Sequence, residues 1–375
     1  MEALARAEAH QRVPLMDLTR EFRAHRHEIL AACEHVLARM HLLGGEEVRA
    51  FEAEAAAYLG VRHVRGVGSG TDALRLVVQA AGLEPGDEVL IQANAFVAAV
   101  EALYEAGVRP VPVDVRLSDL GPDPEELEAR ATPRTRAVLV VHLYGFPVDL
   151  KPVLGFARAR GLAVLEDCSH AHGARLDGRR VGSFGLAGAF SLGVVKNLAA
   201  YGDAGMVSTN DAALAERVRH LGTHGQVKKN THAFYGGNSR LDEIQAALLR
   251  VKLRVLDARN QRRAEIAAYY TERLRELVVT PPVDPRRTHV YHQYVVRTPE
   301  RDALRAHLAA QEIETGIHYP TPIHRQQAWV DAYGAGPSLP RVEQAAREIL
   351  SLPVHPDLSD AEVERVVDAV GRFFR

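Results

Sequence analysis

The amino-acid sequence predicts an α/β fold in which a parallel or mixed sheet carries helices on both faces, followed by a second, smaller domain. Short β-branched segments alternate with helical segments between residues 87 and 167, and this alternation is typical of βαβ units. The predicted strands are apolar along their whole length, as expected for strands that are buried on both faces. The chain has 375 residues, which favours one large domain plus a smaller one over a single small core.

The elements of this fold follow from local patterns along the chain. Residues 18–59 are mostly helical in pattern, with an interruption at Gly44-Gly45. Four later segments predict strands: "DEVLIQA", "VRPVPVDV", "AVLVVHLYG" and "LAVLED". Three segments between them predict helices: "NAFVAAVEALYEAG", with Asn94 near its start, "DPEELEARA" and "LKPVLGFARARG".

The second domain is expected to follow a long helix over residues 240–274. Within that domain "YHQYVVRT" predicts a strand and "PERDALRAHLAAQ" predicts a helix. Two more helices are expected near residues 342–349 and 360–374.

Charge and composition argue against several classes of protein. Lys plus Arg is 46 and Asp plus Glu is 48, so the formal net charge of −2 does not favour nucleic acid or a membrane surface as a partner. The two cysteines, Cys33 and Cys168, lack metal-type or redox-type spacing, which predicts a reducing, cytoplasmic location. The N-terminal "MEALARAEAHQRVPLMDL" has no signal-peptide core, and no apolar run approaches the ~18 residues of a membrane-spanning helix.

The stretch "GVGSGTDALRLVVQAAG" places small residues directly before a helix that is predicted to begin near Thr71-Asp72. Free backbone N–H groups and the positive end of the helix dipole make such a helix start suitable for a phosphate. A dinucleotide fingerprint, G-x-G-x-x-G, would need its third glycine at residue 71, which is threonine, and no P-loop G-K-[ST] is present. A plain loop-to-helix turn is the alternative interpretation.

Glu166-Asp167 ends the buried strand "LAVLED". A carboxylate at that position is costly to keep charged unless a cation or hydrogen-bond donor meets it. The partner is either a structural group such as an arginine or the protonated ring nitrogen of a ligand. His170 and His172 could suggest a metal site with Asp167, but they lack the i, i+4 helical spacing of common two-histidine sites, so no metal is predicted.

The stretch "AFSLGVVKN" surrounds Lys196 with Leu192, Gly193, Val194 and Val195. An amine ringed by such residues is poorly solvated, which lowers its pKa and frees its lone pair for nucleophilic attack. A lysine that extends to water is the alternative interpretation.

Together these three features suit one ligand. A phosphate at a helix start, a carboxylate for a pyridinium nitrogen and a desolvated lysine for an aldehyde are the three attachment points of pyridoxal 5′-phosphate. The sequence therefore predicts a pyridoxal-phosphate enzyme.

The chain resembles the DegT/DnrJ/EryC1/StrS family of sugar aminotransferases. The resemblance covers nearly the whole chain, from "LLGGEEVRAFEAEAAAYLGVRHVRGVGSGTDAL" through "VHLYGFPVDL", "EDCSHAHGA" and "FSLGVVKNLAAYGDAGMVSTND" to "GGNSRLDEIQAALLRVKL" and "GIHYPTPIHRQ". It implies the aspartate-aminotransferase-like (fold type I) architecture. On this resemblance residues 13–250 form the large cofactor-binding domain, with an N-terminal helical segment free to pack on the small domain, and residues 251–375 form that small α+β domain.

The resemblance also implies roles for individual residues. Lys196 matches the lysine that forms the Schiff base with the cofactor, and Asp167 matches the partner of the pyridine nitrogen. Ser191 matches a serine that binds the cofactor phosphate, and Gly70 and Thr71 match the helix-start backbone at that phosphate.

Three further positions complete the implied site. Phe96 matches an aromatic residue that stacks on the pyridine ring. Asn238 matches an asparagine that reaches the phosphate of the neighbouring subunit, which implies a homodimer with shared active sites. His170 stands where many members have glutamine, near the phenolic oxygen of the cofactor; its tautomer is open, and its charge could shift the pKa of the Schiff base.

The implied reaction is ping-pong transamination, in which Lys196 moves a proton between the donor α-carbon and the cofactor. The donor is glutamate or glutamine. A related branch of dehydratases has histidine in place of this lysine, so the lysine favours transamination over dehydration. A non-catalytic protein that binds the cofactor and regulates is a further alternative.

The implied substrate is a nucleotide-linked keto sugar. The segments "NSRLDEIQAA" and "ANAFVAA" resemble members that aminate carbon 3 of a dTDP-linked keto-deoxysugar, with a 4-keto sugar or a keto-cyclitol as alternatives. His318, Tyr319 and His324 in "GIHYPTPIHRQ" are candidates for the sugar pocket, and a structural turn is the alternative interpretation for them.

Overall fold

The computed structural model describes residues 12–375, and the bounds of its helices and strands are as follows. The α-helices are α1 Leu18–Ala24, α2 Arg26–Arg39, α3 Glu46–Leu59, α4 Gly70–Ala80, α5 Val97–Glu105, α6 Pro124–Arg130, α7 Leu150–Arg160, α8 Ala212–Leu221, α9 Glu243–Leu274, α10 Arg301–Ala310, α11 Gln327–Tyr333, α12 Pro340–Glu348 and α13 Asp360–Phe373. The strands are β1 His63–Val67, β2 Glu88–Gln92, β3 Arg109–Val113, β4 Thr135–Val141, β5 Ala163–Asp167, β6 Arg175–Leu176, β7 Arg179–Arg180, β8 Ala187–Ser191, β9 Gly205–Thr209, β10 Gln226–Lys228, β11 Thr231–His232, β12 Arg287–Thr288, β13 Tyr294–Arg297 and β14 Ile349–Leu352.

A seven-stranded sheet in the order β1-β9-β8-β5-β4-β2-β3 forms the centre of the molecule. Strands β3, β2, β4, β5 and β8 pair in parallel, whereas β9 runs antiparallel between β8 and β1. The mixed, mostly parallel sheet with flanking helices agrees with fold type I, so the predicted fold class is confirmed.

Both faces of this sheet are covered. Leu90 and Val138 belong to one apolar cluster, whereas their chain neighbours Ile91 and Leu139 belong to another. Because successive side chains of a strand point to opposite faces, helices on both sides bury all of β2 and β9 and all but one residue of β4. This explains why the strands are apolar along their whole length rather than alternating with polar residues.

The pairing register brings several strand ends to one edge of the sheet. Val141, the last residue of β4, lies beside Asp167, the last residue of β5. Ser191 at the end of β8 pairs with Gly205, which starts the antiparallel β9 and also pairs with Val67 at the end of β1. Ligands of open α/β sheets bind at such carboxyl ends.

A third apolar cluster includes the C-terminal part of the long helix α9. It contains Ile266, Tyr270, Tyr294, Leu352 and Val366 and packs around the antiparallel pair β13–β14. The N-terminal segment contacts this part of the molecule, where the N–H of Val13 donates to the carbonyl of Glu312 (2.9 Å). The division of the chain after residue 250 remains a prediction; that residue lies inside α9.

Two features of the sheet differ from the sequence analysis. Strands β1, β8 and β9 are absent from the sequence-based predictions; β8 reads "AGAFS", whose small residues lack a β-branched pattern. Close packing explains the small residues, since a Cβ on Gly188 would lie 2.6 Å from Ser208 Oγ and 2.7 Å from the Cα of Gly182. Helix α5 begins at Val97, three residues later than Asn94, whose side chain instead donates to the carbonyl of Leu120 (2.9 Å).

The N-terminal stretch assessed for a signal peptide includes residues 1–11, which lie outside the described residues. Within residues 12–375 no helix combines the length and the apolar character that crossing a membrane requires.

The packing of β8 predicts that Gly188→Ala lowers the free energy of unfolding by ~1–3 kcal/mol, because the added methyl group meets backbone atoms that cannot move aside. Gly155→Ala is the matched control: its Cβ would meet nothing within 4 Å, and it lies inside α7. That substitution is expected to raise stability by ~0.5–1 kcal/mol. Denaturant titration of both variants tests this, and equal effects would contradict it.

Candidate active site

A cavity of about 320 Å³ lies at the carboxyl edge of the sheet. This volume falls in the range of ~300–1,000 Å³ that is usual for small-molecule sites. Its walls come from the ends of β4, β5 and β8, the start of α4 and the segment at Tyr319. The lining residues are Ser69, Gly70, Thr71, Leu74, Phe96, Ala98, Val141, Leu143, Asp167, Ser169, His170, Ser191, Gly193, Val194, Val195, Lys196, Asp203 and Tyr319.

The start of α4 forms one end of the cavity. Ser69 caps the helix, since its Oγ accepts the N–H of Asp72 (3.0 Å). The helix begins at Gly70, so the N–H groups of Gly70 and Thr71 have no acceptor within the helix. A Cβ on Gly70 would lie 2.4 Å from Ser191 Cβ and 2.9 Å from its Oγ, so this helix start abuts the serine. Backbone donors and a hydroxyl in this arrangement suit a phosphate.

A side chain outside the cavity holds this loop in place. Ser239 Oγ accepts the N–H of Gly68 (3.0 Å) and donates to Asp72 Oδ2 (2.8 Å). Gly205 lies against the same turn, where a Cβ would approach the carbonyl oxygen of Ser69 to 2.2 Å. The sequence analysis did not identify Ser69 or Ser239; the S/T-x-x-[DE] pattern of "SGTD" would have indicated the cap.

The two carboxylates that end β5 have separate surroundings. Glu166 is buried and accepts backbone N–H groups from Gly182 (2.8 Å), Phe184 (2.8 Å) and Gly185 (2.7 Å). Although burial acts to raise the pKa of Glu166, these hydrogen bonds and the His142 ring hold it below its usual value. Asp167 points to the cavity instead, and its Oδ1 accepts the N–H of Ser169 (2.9 Å).

His142 has a structural role at the end of β5, where it contacts Glu166. Its Nδ1 accepts the N–H of Val148 (3.0 Å), so the proton lies on Nε2, which donates to Glu166 Oε2 (3.1 Å). With Cys168 these residues form a buried group of metal-ligand types, but the ring nitrogens of His142 are already engaged. His172 does not line the cavity; its ring packs 5.6 Å from that of Phe190.

Lys196 is half-buried and lines the cavity. Burial lowers the pKa of Lys196 to about 8, and the negative charge of Asp167 limits the fall. Its chain neighbours Gly193, Val194 and Val195 line the same cavity, although Val194 and Val195 are 40% and 46% exposed. Segments distant in the chain, such as those at Leu143 and Tyr319, supply further walls of this cavity.

The structure decides the tautomer of His170. Its Nδ1 accepts the N–H of Tyr144 (3.3 Å), which leaves Nε2 as the protonated nitrogen of the neutral ring. Burial, together with the nearby Lys196, His318 and His172, lowers the pKa of His170 well below its usual value. His170 therefore offers the cavity a neutral N–H donor, the same function as a glutamine amide.

Aromatic side chains close another side of the cavity. The rings of Phe96 and Tyr319 lie 5.2 Å apart between centroids, at an angle of 39°. Phe96 is 48% exposed although it is large and apolar, so its ring face is available for contact with a planar ligand.

Three predicted residues lie outside the cavity lining. His318 is adjacent, with Nδ1 2.8 Å from Ser351 Oγ, and the charge of Lys196 contributes to its lowered pKa after burial. His324 is fully buried and its Nε2 lies 3.1 Å from Glu343 Oε1, which favours the structural interpretation for this residue. Asn238 is exposed on the segment after the β10–β11 hairpin.

The fold and the cavity together define a class of protein, and comparison with known proteins places the chain in it. Residues 23–371 match the DegT/DnrJ/EryC1/StrS aminotransferase family. The chain belongs to this family. Aminotransferases of this family use pyridoxal 5′-phosphate.

Three similar proteins illustrate the relationship. A dTDP-3-amino-3,4,6-trideoxy-alpha-D-glucose transaminase of Streptomyces venezuelae is 44% identical over 365 residues, which cover 96% of this chain and 95% of that protein. A protein of Geobacillus stearothermophilus named pleiotropic regulatory protein is 41% identical over 367 residues, covering 97% and 99%. The crystal structure of S. venezuelae DesV in complex with a ketimine intermediate superposes with a TM-score of 0.95 at 44% identity, covering 97% of this chain and 99% of that one.

The residues present fit the cofactor of the family. The start of α4 offers the N–H groups of Gly70 and Thr71, which have no acceptor within the helix, and the end of β5 offers the carboxylate of Asp167. The cavity also contains the Lys196 amine, whose pKa is lowered, and the exposed ring of Phe96. The close approach of Gly70 to Ser191 leaves no room for a side chain at residue 70, so the backbone of the helix start and the Ser191 hydroxyl lie side by side at the phosphate end.

The electrostatics of Lys196 predict how its amine titrates in the cofactor-free protein. Reductive methylation of Lys196, followed by peptide mass spectrometry, should reach half its maximal rate near pH 8, because the unprotonated amine reacts. In Asp167→Asn the carboxylate that favours the ammonium form is lost, so the midpoint should move to lower pH. An upward or absent shift would show that the two groups do not interact across the cavity.

Proposed function

We propose that this protein transfers an amino group from glutamate or glutamine to carbon 3 of a dTDP-linked keto-deoxysugar. Family membership and the 44% identity to a dTDP-3-amino-sugar transaminase over nearly the whole chain support the substrate class. The observation that carries the chemistry is the shared cavity of Lys196 and Asp167, with an anion-binding helix start at its other end.

Each end of the cavity holds one part of the cofactor in this proposal. The N–H groups of Gly70 and Thr71 and the hydroxyl of Ser191 bind the phosphate. Phe96 contacts the face of the ring, and His170 donates its Nε2–H at the phenolic edge. When bound, pyridoxal phosphate takes up the amino group and withdraws electrons from the donor α-carbon.

The charges of the cavity suit proton transfer. Asp167 keeps a proton on the ring nitrogen, because a carboxylate beside that nitrogen favours the charged ring. A pKa of about 8 allows Lys196 to exist as a free amine and as an ammonium near neutral pH, so the same side chain can accept a proton from the α-carbon and return it.

The substrate-binding side is proposed to include Tyr319 and His318. Tyr319 lines the cavity beside Phe96, and His318 precedes it directly. His324 is left out of this set because its side chain is paired with Glu343 in the interior.

We propose that the protein is a homodimer with shared active sites. Asn238 is exposed and does not line the cavity of its own chain, so it is free to complete the site of a second copy. Leu30, Leu37, Met40 and Leu43 are 44–66% exposed. Leu43 pairs with Asp242, four residues after Asn238, so this apolar surface continues to the Asn238 segment and would be covered in a dimer.

A cytoplasmic location belongs to the proposal as well. The structure holds Cys33 and Cys168 as free thiols, in agreement with a reducing environment.

Lys196→Ala is expected to abolish the formation of 2-oxoglutarate from glutamate, because no other described side chain combines a free amine with the cavity. Phosphate binding at α4 should persist, so pyridoxamine phosphate should still bind, as measured by equilibrium dialysis. Turnover of glutamate in this variant would remove Lys196 from the reaction.

A mixture of two impaired variants, assayed at a cofactor concentration too low to saturate Asn238→Ala, tests the shared site. Asn238→Ala should weaken retention of the cofactor, and Lys196→Ala should prevent its covalent attachment. If Asn238 acts across the dimer, subunits of the two variants that are unfolded and refolded together should form hybrids with one intact site. Recovered activity supports the shared site, whereas no recovery from verified hybrids would place Asn238 in the site of its own chain.

The substrate is tested by supplying the pyridoxamine form with a dTDP-linked 3-keto-deoxysugar, a 4-keto isomer and a keto-cyclitol. The 3-amino sugar, identified by mass spectrometry and NMR, is the expected product. Conversion of the 4-keto sugar or the cyclitol alone would reassign the substrate while leaving the aminotransferase reaction in place.

A further inference from the structure

Asn197, the residue directly after Lys196, is the centre of a buried hydrogen-bond network. Its Nδ2 donates to Asn260 Oδ1 (2.8 Å) and to the carbonyl of Val290 (3.0 Å). Both amide hydrogens are thereby used, so its Oδ1 is left as an acceptor for His292 Nδ1, 3.2 Å away. This partner set places the proton of neutral His292 on Nδ1.

The network also reaches the backbone around the cavity. Asn260 lies on the long helix α9, and its Nδ2 donates to the carbonyl of His172 (2.8 Å). The segments that carry His172 and Asn197 are therefore both hydrogen-bonded to Asn260 of α9. Neither asparagine lines the cavity.

The ring of His292 lies against the ring of His170, with centroids 4.4 Å apart at an angle of 40°. The segment that carries His292 is fixed to the loop after β4, because Val290 N–H donates to the carbonyl of Gly145 (3.1 Å) and Gln293 N–H donates to that of Tyr144 (3.2 Å). Tyr144 in turn donates its own N–H to His170 Nδ1. His170 is thus oriented at one edge by Tyr144 and held on one face by His292.

Basic groups surround these two rings. Lys196, His318 and His172 act on His170. His170, Lys196, Arg263 and His172 act on His292. Burial together with these neighbours lowers the pKa of both rings well below the usual value, so both are neutral. A neutral pair can pack ring against ring at this tilt without charge repulsion, so packing sets the direction of the Nε2–H of His170.

We propose that His292 is a positioning residue of the active site: its hydrogen bond to Asn197 fixes the chain directly after Lys196, and its ring fixes the plane of His170. This inference rests on the proposed function, in which Lys196 and His170 act on the cofactor. A displaced Lys196 changes the rate of the glutamate half-reaction, whereas a displaced His170 changes the pH titration of the bound cofactor. The two contacts of His292 can therefore be tested separately.

Two substitutions divide the contacts. His292→Phe keeps a ring against His170 but removes the donor to Asn197, whereas His292→Asn keeps an amide donor near the position of Nδ1 but removes the ring. Asn197→Ala removes the same hydrogen bond from the other side, together with those to Asn260 and Val290, and serves where His292→Phe does not fold. His307→Phe is the control, because His307 is a part-buried histidine on α10 that lies outside this network.

The first measurement is the glutamate half-reaction in a single turnover. His292→Phe and Asn197→Ala are expected to slow it by up to ~10²-fold, because a displacement of ~1 Å in a reacting group can have that effect. The KM for the nucleotide sugar should change little, since neither residue lines the cavity. His292→Asn should be much closer to wild type in this measurement.

The second measurement is the pH titration of the absorbance of bound pyridoxal phosphate without any substrate. In His292→Asn the N–H of His170 is less well directed at the phenolic oxygen of the cofactor, so more negative charge stays on that oxygen. This charge holds the proton of the neighbouring Schiff base nitrogen more tightly and raises its pKa. The midpoint should therefore move to higher pH, whereas in His292→Phe it should stay near the wild-type value.

The proposal is overturned if His292→Phe, His292→Asn and Asn197→Ala all match wild type and His307→Phe in both measurements, or if every variant loses both properties together in proportion to its thermal stability. Failure of the proposed function is seen separately: wild-type protein would then give no glutamate half-reaction. The absorbance titration reports on His292 even in that case, because it needs only bound cofactor.

Discussion

The parallel pairing of β4, β5 and β8 is the constraint on which the rest of the structure depends. Parallel strands in register end at the same edge, and this places Asp167 and Ser191 on one side of the molecule although 24 positions separate them in the chain. The reversed strand β9 closes the arrangement, because it brings Gly205 against the turn that starts α4. A phosphate end and a carboxylate are therefore built into the sheet rather than carried by flexible loops, which gives a rigid basis for proton transfer.

At this edge two pairs of adjacent residues each contain one side chain that is hydrogen-bonded in the interior and one that faces the cavity. Glu166 is saturated by three backbone N–H groups and His142, so it fastens the segment around Gly182–Gly185 to the sheet. Asp167, one residue later, faces the cavity and the lysine. The same division applies to Lys196 and Asn197, where the first side chain faces the cavity and the second is held by α9 and by the segment at Val290. In each pair a buried polar residue fixes the backbone from which its neighbour acts.

Segments late in the chain contribute to the site through hydrogen bonds to the loop after β4. The chain at residues 289–293 is hydrogen-bonded to the loop after β4, and the hydroxyl of Tyr144 contacts the carbonyl of His318. Tyr319 then faces Phe96 across the cavity. These contacts join the loop after β4 to residues 289–293 and to His318. The orientation of His170 and the position of Tyr319 therefore depend on the same few hydrogen bonds. The membership of the aminotransferase family is consistent with this shared construction, since a transaminase must present one cofactor to two different substrates in turn.

The sequence alone determined the α/β fold class, the strand end at Asp167 and a helix start near Thr71-Asp72, one residue past the observed start at Gly70, because each is a local pattern of residue types over a short stretch. For Lys196 the local pattern left a desolvated amine and a lysine that extends to water as two open interpretations. The resemblance to a known family supplied Phe96, Ser191 and Asn238, for which no local pattern speaks. Tertiary structure decided the rest. The tautomer of His170 depends on an N–H from Tyr144, 26 residues away in the chain; the interior position of His324 depends on Glu343; and the roles of Ser239, Asn260 and His292 depend on contacts between segments far apart in the chain. Hydrogen bonds between distant segments follow from packing, and no periodicity of the sequence records them.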